Sequence, residues 1–150
     1  MDLILWRHAE AGEGGADLER RLTSRGQKHA ARMAEWLVQR LPSKCVVIAS
    51  PARRTRQTAD ALDMPYKTSE RLAPGASVAD VLAAAGWPGK KKAVLVIGHQ
   101  PTLGQVASYL LSGARDEWTI KKGGLWWLTN RVRNEEAQVV VRAVIAPDLL

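Results

Sequence analysis

Three short apolar runs, Leu3–Trp6, Cys45–Ala49 and Ala93–Ile97, constrain this chain more than any other feature. Each is too short for a helix and lacks the apolar–polar alternation of a half-exposed strand. They therefore read as strands buried on both faces. Between them lie stretches with helical spacing. Thr23 is placed to cap a helix running to about Leu41, with Ala30, Met33, Ala34, Leu37, Val38 and Leu41 on one face and Pro42 ending it. Ser50-Pro51 reads as a cap with proline in the first helical position, opening a helix to about Leu62. Val78–Ala85 reads as a short helix, and Gly98 to Thr102 leads into another that ends near Leu111. Alternating buried strands and helices predict an α/β domain, a three-layer αβα sandwich on a mostly parallel sheet.

The rest of the chain is less regular. Glu10 to Arg20 is rich in Gly, Ala and acidic residues and reads as a loop, Tyr66–Ser69 as a short strand, and Lys90–Lys92 as a solvated turn. Gly124–Thr129 and Gln138–Ala146 are β-rich and are separated by a polar turn, Asn130 to Glu136. They predict an antiparallel addition at one sheet edge. In Trp126-Trp127 one ring of the pair is expected to face away from the core. With no repeat and no linker, residues 1–150 read as one domain, a length that buries about 70% of the unfolded chain's surface.

Composition narrows the chemistry. The net charge of +7 draws anionic partners without choosing among phosphates, acidic proteins, nucleic acid and membrane. Cys45 is the only cysteine, so no internal disulfide can form. The N-terminus lacks the features of a signal peptide, and no stretch reaches the length of a membrane span. These features predict a cytoplasmic protein that does not associate with membrane.

Three polar clusters stand just beyond the carboxyl ends of the three apolar runs: Arg7-His8, Ser50 to Arg54, and His99. Open α/β sheets bind ligands along that edge. The clusters bring together forked guanidinium donors that match phosphate oxygens, a helix N-terminus favouring anions, and imidazoles that titrate near neutrality. No HExxH, P-loop or GxGxxG element is present, and the sequence calls for no metal or other cofactor.

Four elements then carry a family resemblance, in order along the chain. Arg7-His8-Ala9 resembles the RHG/RHA signature of the histidine phosphatase superfamily, the phosphoglycerate-mutase-like fold. Leu22-Thr23-Ser24-Arg25-Gly26-Gln27 resembles its LTxxGxxQ element, and Ser50 to Ala59 its SPxxRxxQTA element. Gly98-His99 resembles its second histidine motif. Arg20-Arg21-Leu22-Thr23 is similar to the R-P-L-T sequence of the SixA-type branch, with Arg21 in place of proline. Members of that branch remove phosphate from phosphohistidine.

The resemblance implies that His8 attacks phosphorus and is itself phosphorylated, in a pocket built with Arg7, Arg54 and His99. Arg20 and Ser50 are carried over as substrate-binding residues, and His99 as a donor to a phosphoryl oxygen. Nearby guanidinium groups would keep the His8 imidazole neutral and nucleophilic. Larger members carry an acidic residue in a cap after the SPxxRxxQTA element. Here that insertion is missing, and Glu70-Arg71-Leu72 resembles the shorter E-x-L-x-P stretch of the SixA-type branch. Glu10 and Asp17 are the remaining candidates for a general acid. An uncapped site without a clear acid favours a phosphohistidine protein as substrate over a small phosphate ester. The reading of another class, a non-catalytic module binding phosphate or RNA, lacks an RNP motif and a stacking platform, so a nucleic-acid partner is not expected. His29, Arg53 and Arg56 read as solvated residues.

Overall fold

The computed structural model describes all of residues 1–150. One six-stranded sheet runs through it. Its strands are β1 (Asp2–Arg7), β2 (Cys45–Ala49), β3 (Lys67–Thr68), β4 (Ala93–Gly98), β5 (Leu125–Arg133) and β6 (Glu136–Ile145), in the spatial order β3-β2-β4-β1-β5-β6. The four strands β1 to β4 are mutually parallel, whereas β5 and β6 are antiparallel additions at one edge. Four helices cover it: α1 (Ser24–Val38), α2 (Arg53–Asp60), α3 (Val78–Ala85) and α4 (Thr102–Ser112).

Alternation along the apolar runs builds two cores. Leu3, Leu5, Val94 and Val96 face one side, where they pack with Val78, Val81 and Ala85 of α3 and Leu103, Val106 and Ala107 of α4. Ile4, Trp6, Leu95 and Ile97 face the other, against Met33, Ala34 and Leu37 of α1, Ala59 of α2 and Leu62 just beyond it. A run that buries both faces needs apolar residues at every position, which is why these three strands carry no polar alternation. The layering is the αβα sandwich expected from the sequence. No helix is long and apolar enough to cross a membrane.

Three local expectations need correction. First, α2 begins at Arg53, and its N-cap is Ala52, whose side chain makes no capping bond. The Thr55 hydroxyl donates to the carbonyl oxygens of both Ser50 (2.8 Å) and Ala52 (2.7 Å), tying Ser50-Pro51-Ala52 into a turn ahead of the helix. Second, the polar segment 130–136 is mostly strand. The turn is only Asn134-Glu135, both at positive φ, the conformation that a two-residue hairpin requires. Third, Trp126 and Trp127 are both absorbed. Trp127 packs in the core beside Trp36, and the half-buried Trp126 lies 5.7 Å from Trp118.

The entry to α1 explains the glycine of the LTxxGxxQ element. The Thr23 hydroxyl accepts from the Gly26 N–H (3.0 Å), while the Thr23 N–H donates to the Glu10 carbonyl oxygen (3.0 Å). The loop leaving β1 therefore crosses directly over Gly26, and a Cβ there would overlap the Glu10 carbonyl group. Gly26→Ala is expected to destabilise the protein by about 2 kcal/mol, the scale of an overpacked site, despite the better helix propensity of alanine. Chemical denaturation measures the loss, and an unchanged midpoint would mean that the loop relaxes freely.

Candidate active site

The strand register sets the site. Arg7 of β1 lies level with Gly98 of β4, and Ile97 of β4 level with Ala49 of β2. His8, His99 and Ser50 each stand one residue beyond their strand. The ladder continues one step past the strands, with the His8 N–H on the Gly98 carbonyl (3.1 Å) and the Ser50 N–H on the Ile97 carbonyl (3.0 Å). The His8 and His99 rings lie 5.3 Å apart between centroids. They open on a cavity of about 350 Å³ lined also by Arg7, Arg20, Arg54, Asp17, Glu13, Pro74, Gln100 and Lys122. The first α2 turn carries Arg54 to it, with the guanidinium 5% exposed.

The protonation pattern of His8 follows from its partner. Its Nδ1 lies 2.7 Å from the Ala9 carbonyl oxygen, which only accepts, so Nδ1 carries the hydrogen. That leaves the Nε2 lone pair free. Burial, reinforced by Arg54, Arg7 and Arg20, pushes the pKa of His8 down to about 4, although the Ala9 bond opposes this. His99 is pushed down to about 3, first by burial and then by His8 and Arg54, with Asp17 acting in the opposite direction. At neutral pH both rings are uncharged.

Three guanidinium groups face this neutral pair incompletely satisfied. The Nε–H groups of Arg7, Arg20 and Arg54 are buried and make no hydrogen bond. Some of the outer nitrogens have protein partners. Arg7 Nη1 donates to the Ile120 carbonyl (2.9 Å). Arg54 Nη1 donates to the Asp17 carbonyl (2.7 Å), and its Nη2 lies 3.2 Å from Asp17 Oδ2. Arg20 Nε is within 3.5 Å of Asp17 Oδ1, an ion-pair distance without hydrogen-bond geometry. A buried, unpaired N–H costs about 1–3 kcal/mol. Three in one cavity mark a place prepared for an anion with several acceptor oxygens.

The candidates named from the sequence separate here. Arg7, His8, Arg20, Arg54, His99 and Asp17 all line the cavity, whereas Ser50 and Glu10 do not. Ser50, carried over as a substrate-binding residue, is completely buried. Its hydroxyl oxygen lies 2.7 Å from His99 Nε2 and accepts from the Ala52 N–H (3.2 Å). It positions His99. Glu10 accepts from the Thr23 hydroxyl (2.9 Å) and pairs with Arg25 (3.7 Å), turned into the loop scaffold and away from any leaving group. Asp17 reaches the cavity as the ion-pair partner of Arg54 and Arg20.

Sequence reasoning missed the opposite wall. The irregular segment from Trp118 to Gly124 is pinned to the ends of β1 and β4. Gln100 Nε2 donates to the Trp118 carbonyl (2.8 Å) and Arg7 to that of Ile120, while Trp6 Nε1 donates to the Gly123 carbonyl (2.8 Å) and the Gly123 N–H to that of His8 (3.0 Å). This places Lys122 on the cavity rim. No side-chain pattern signals these bonds, since their acceptors are backbone carbonyls.

An αβα sheet that presents two imidazoles and a ring of unsatisfied guanidinium groups at its carboxyl edge defines a phosphate-handling enzyme. The chain belongs to the histidine phosphatase superfamily and is a phosphatase. Residues 3–74 match the sequence profile of the Histidine phosphatase superfamily (branch 1), a span that includes His8 and Arg54. An uncharacterized protein of Mycobacterium tuberculosis is 34% identical over 113 residues, 71% of this chain and 70% of that protein. Among solved structures, a candidate phosphohistidine phosphatase SixA from Nakamurella multipartitia has 31% identity and a TM-score of 0.81, covering 97% of this chain and 95% of its own. The protein histidine phosphatase SixA complexed with tungstate shares the fold at 24% identity, with a TM-score of 0.75 over 99% of both chains.

The depressed imidazoles make folding pH-dependent. The unfolded chain takes up protons on these residues near their ordinary pKa of about 6.5, the folded chain only near 4 for His8 and 3 for His99. Their contribution is therefore complete above pH 6.5 and is lost as pH falls toward 4. His8→Asn keeps a donor to the Ala9 carbonyl but cannot titrate. Between pH 6.5 and 4.5 the wild type is expected to lose about 2 kcal/mol more than this variant in urea unfolding. Parallel pH profiles for the two would show that His8 is not depressed.

Proposed function

We propose that this phosphatase hydrolyses phosphohistidine on a protein substrate through a phosphorylated His8. The observation that carries the reading is the pairing of a free His8 Nε2 with three buried, unpartnered guanidinium N–H groups in one open cavity. The Nε2 lone pair attacks phosphorus, the P–N bond to the substrate imidazole breaks with its electron pair passing to the departing nitrogen, and the other ring nitrogen of that imidazole carries a proton taken from solvent. Water then attacks phospho-His8, breaking the second P–N bond. Inorganic phosphate leaves, and the water proton passes to solvent. Arg7, Arg20 and Arg54 hold the equatorial oxygens through both steps, stabilising the charge that spreads over them. A bound phosphoryl dianion also favours protonated His99, whose ring then donates to an oxygen.

Phosphohistidine fits better than an ester because neither acid named from the sequence is free to serve a leaving group, and Glu13 on the cavity lining faces the same guanidinium field. Glu10 is turned away, and Asp17 is committed to Arg54 and Arg20. An alkoxide needs a proton from the enzyme. An imidazole titrates near neutrality and obtains its proton from solvent. The absence of a cap leaves the cavity accessible to a histidine on a protein surface, and a cytoplasmic location with a phosphoprotein partner fits this use.

Wild type is expected to turn over a phosphohistidine protein faster than any member of a sugar-phosphate panel and to yield an acid-labile phosphoenzyme on rapid quenching. His8→Ala should lower kcat by at least about a thousandfold, as loss of a covalent nucleophile does. Preference for the sugar phosphates would favour the esterase reading, and full activity of His8→Ala would remove His8 from the chemistry. Arg54→Lys keeps the charge and loses the fork. Its kcat/KM should fall by about a hundredfold, the scale of one lost transition-state donor. A loss of only a few-fold would reduce Arg54 to a point charge.

A further inference from the structure

Asp17 is unusual among the cavity residues, because it places a carboxylate on the cations that the phosphoryl group needs. Its Oδ2 lies 3.2 Å from Arg54 Nη2 and its Oδ1 3.5 Å from Arg20 Nε, while its own carbonyl accepts from Arg54 Nη1 at 2.7 Å. Two carboxylate oxygens stand where two phosphoryl oxygens would find donors. A carboxylate and a phosphate dianion cannot share those donors without like-charge repulsion. The loop allows the carboxylate to leave. The Asp17 side chain is 59% exposed, and the turn Asp17–Glu19 buries none of its residues. Gly14 and Gly15, both at positive φ with open space around them, precede it.

We propose that Asp17 is an internal substitute for the substrate anion: it holds Arg54 and Arg20 in the empty site and is displaced when a phosphoryl group binds. The proposal rests on the reading of this cavity as the phosphate site. Asp17 thereby positions the two arginines between turnovers and competes with product phosphate, which aids its release. This differs from the acid role considered for Asp17 from the sequence, because the residue transfers no proton and touches no reacting atom.

A structural brace and a competing anion predict opposite outcomes. Titration calorimetry with inorganic phosphate on wild type, Asp17→Asn and Asp17→Ala reads the difference, with thermal melting to show that the variants are folded. Both variants are expected to bind phosphate about fivefold more tightly, the scale of one exposed ion pair that no longer has to be broken. KM for the phosphorylated substrate should fall by a similar factor. Unchanged or weaker phosphate binding by the folded variants would overturn the proposal and leave the phosphatase reading standing. Failure of the wild type itself to bind phosphate at millimolar concentration would overturn both.

Discussion

The site depends on the register of three parallel strands. β2, β4 and β1 are neighbours, β1 and β4 end level and β2 ends one residue earlier, so the next residue on each strand arrives at the same crevice. The backbone bonds from His8 to Gly98 and from Ser50 to Ile97 continue that ladder beyond the strand ends. Side chains alternate along a strand, so a slip of one residue would turn His8 to the other face of the sheet and exchange Leu3 and Leu5 with Ile4 and Trp6 between the two cores. The two apolar cores oppose such a slip on both faces. Packing energy far from the chemistry thus fixes the relative height of two imidazoles to within a fraction of a residue.

Residues around the catalytic candidates form a hydrogen-bonded frame, and this gives physical content to motif positions that carry no obvious chemistry. Thr58 accepts the Ala9 N–H (3.1 Å) while donating to the Arg54 carbonyl (2.8 Å), linking the loop after His8 to the helix that carries Arg54. Gln57 accepts the Leu22 N–H (2.8 Å), tying the same helix to the start of α1. Thr55 closes the turn that holds Ser50 under His99. The arginine of the SPxxRxxQTA element supplies charge, and its glutamine, threonine and serine hold that charge against its neighbours.

This frame also explains what could be read from the sequence. The core strands were legible because burial on both faces leaves an unmistakable apolar run, and the candidate cluster because His8, Ser50 to Arg54 and His99 lie just beyond such runs. Arg20 reached the cavity as its place before Leu22-Thr23 suggested. Ser50-Pro51 reads locally as a helix cap, whereas the bond from Ser50 to His99 spans 49 residues and leaves no local signal. The wall from Trp118 to Gly124 was invisible for the same reason. Its anchors are backbone carbonyls, which every residue possesses. The hairpin was seen but cut short, since its solvent-facing residues Asn130, Arg131 and Arg133 are polar and only Asn134-Glu135 bends the chain.

Electrostatics link the neutral nucleophile to the choice of leaving group. Burial of the His8 and His99 rings, reinforced by the neighbouring arginines, favours the uncharged imidazoles and so keeps the Nε2 lone pair available well below neutral pH. The same field acts on any acid brought into the cavity, because guanidinium groups favour a carboxylate over a carboxylic acid. A general acid for an ester must therefore be held away from these cations, on a separate insertion reaching over the leaving group. This chain has no such insertion between α2 and β4, where only β3, a short turn at Glu70–Leu72 and α3 intervene. A cavity of this kind suits a leaving group that finds its own proton, and the imidazole of a phosphorylated histidine is one. The cationic field that reinforces the neutrality of the nucleophile thus also restricts the bonds it can break.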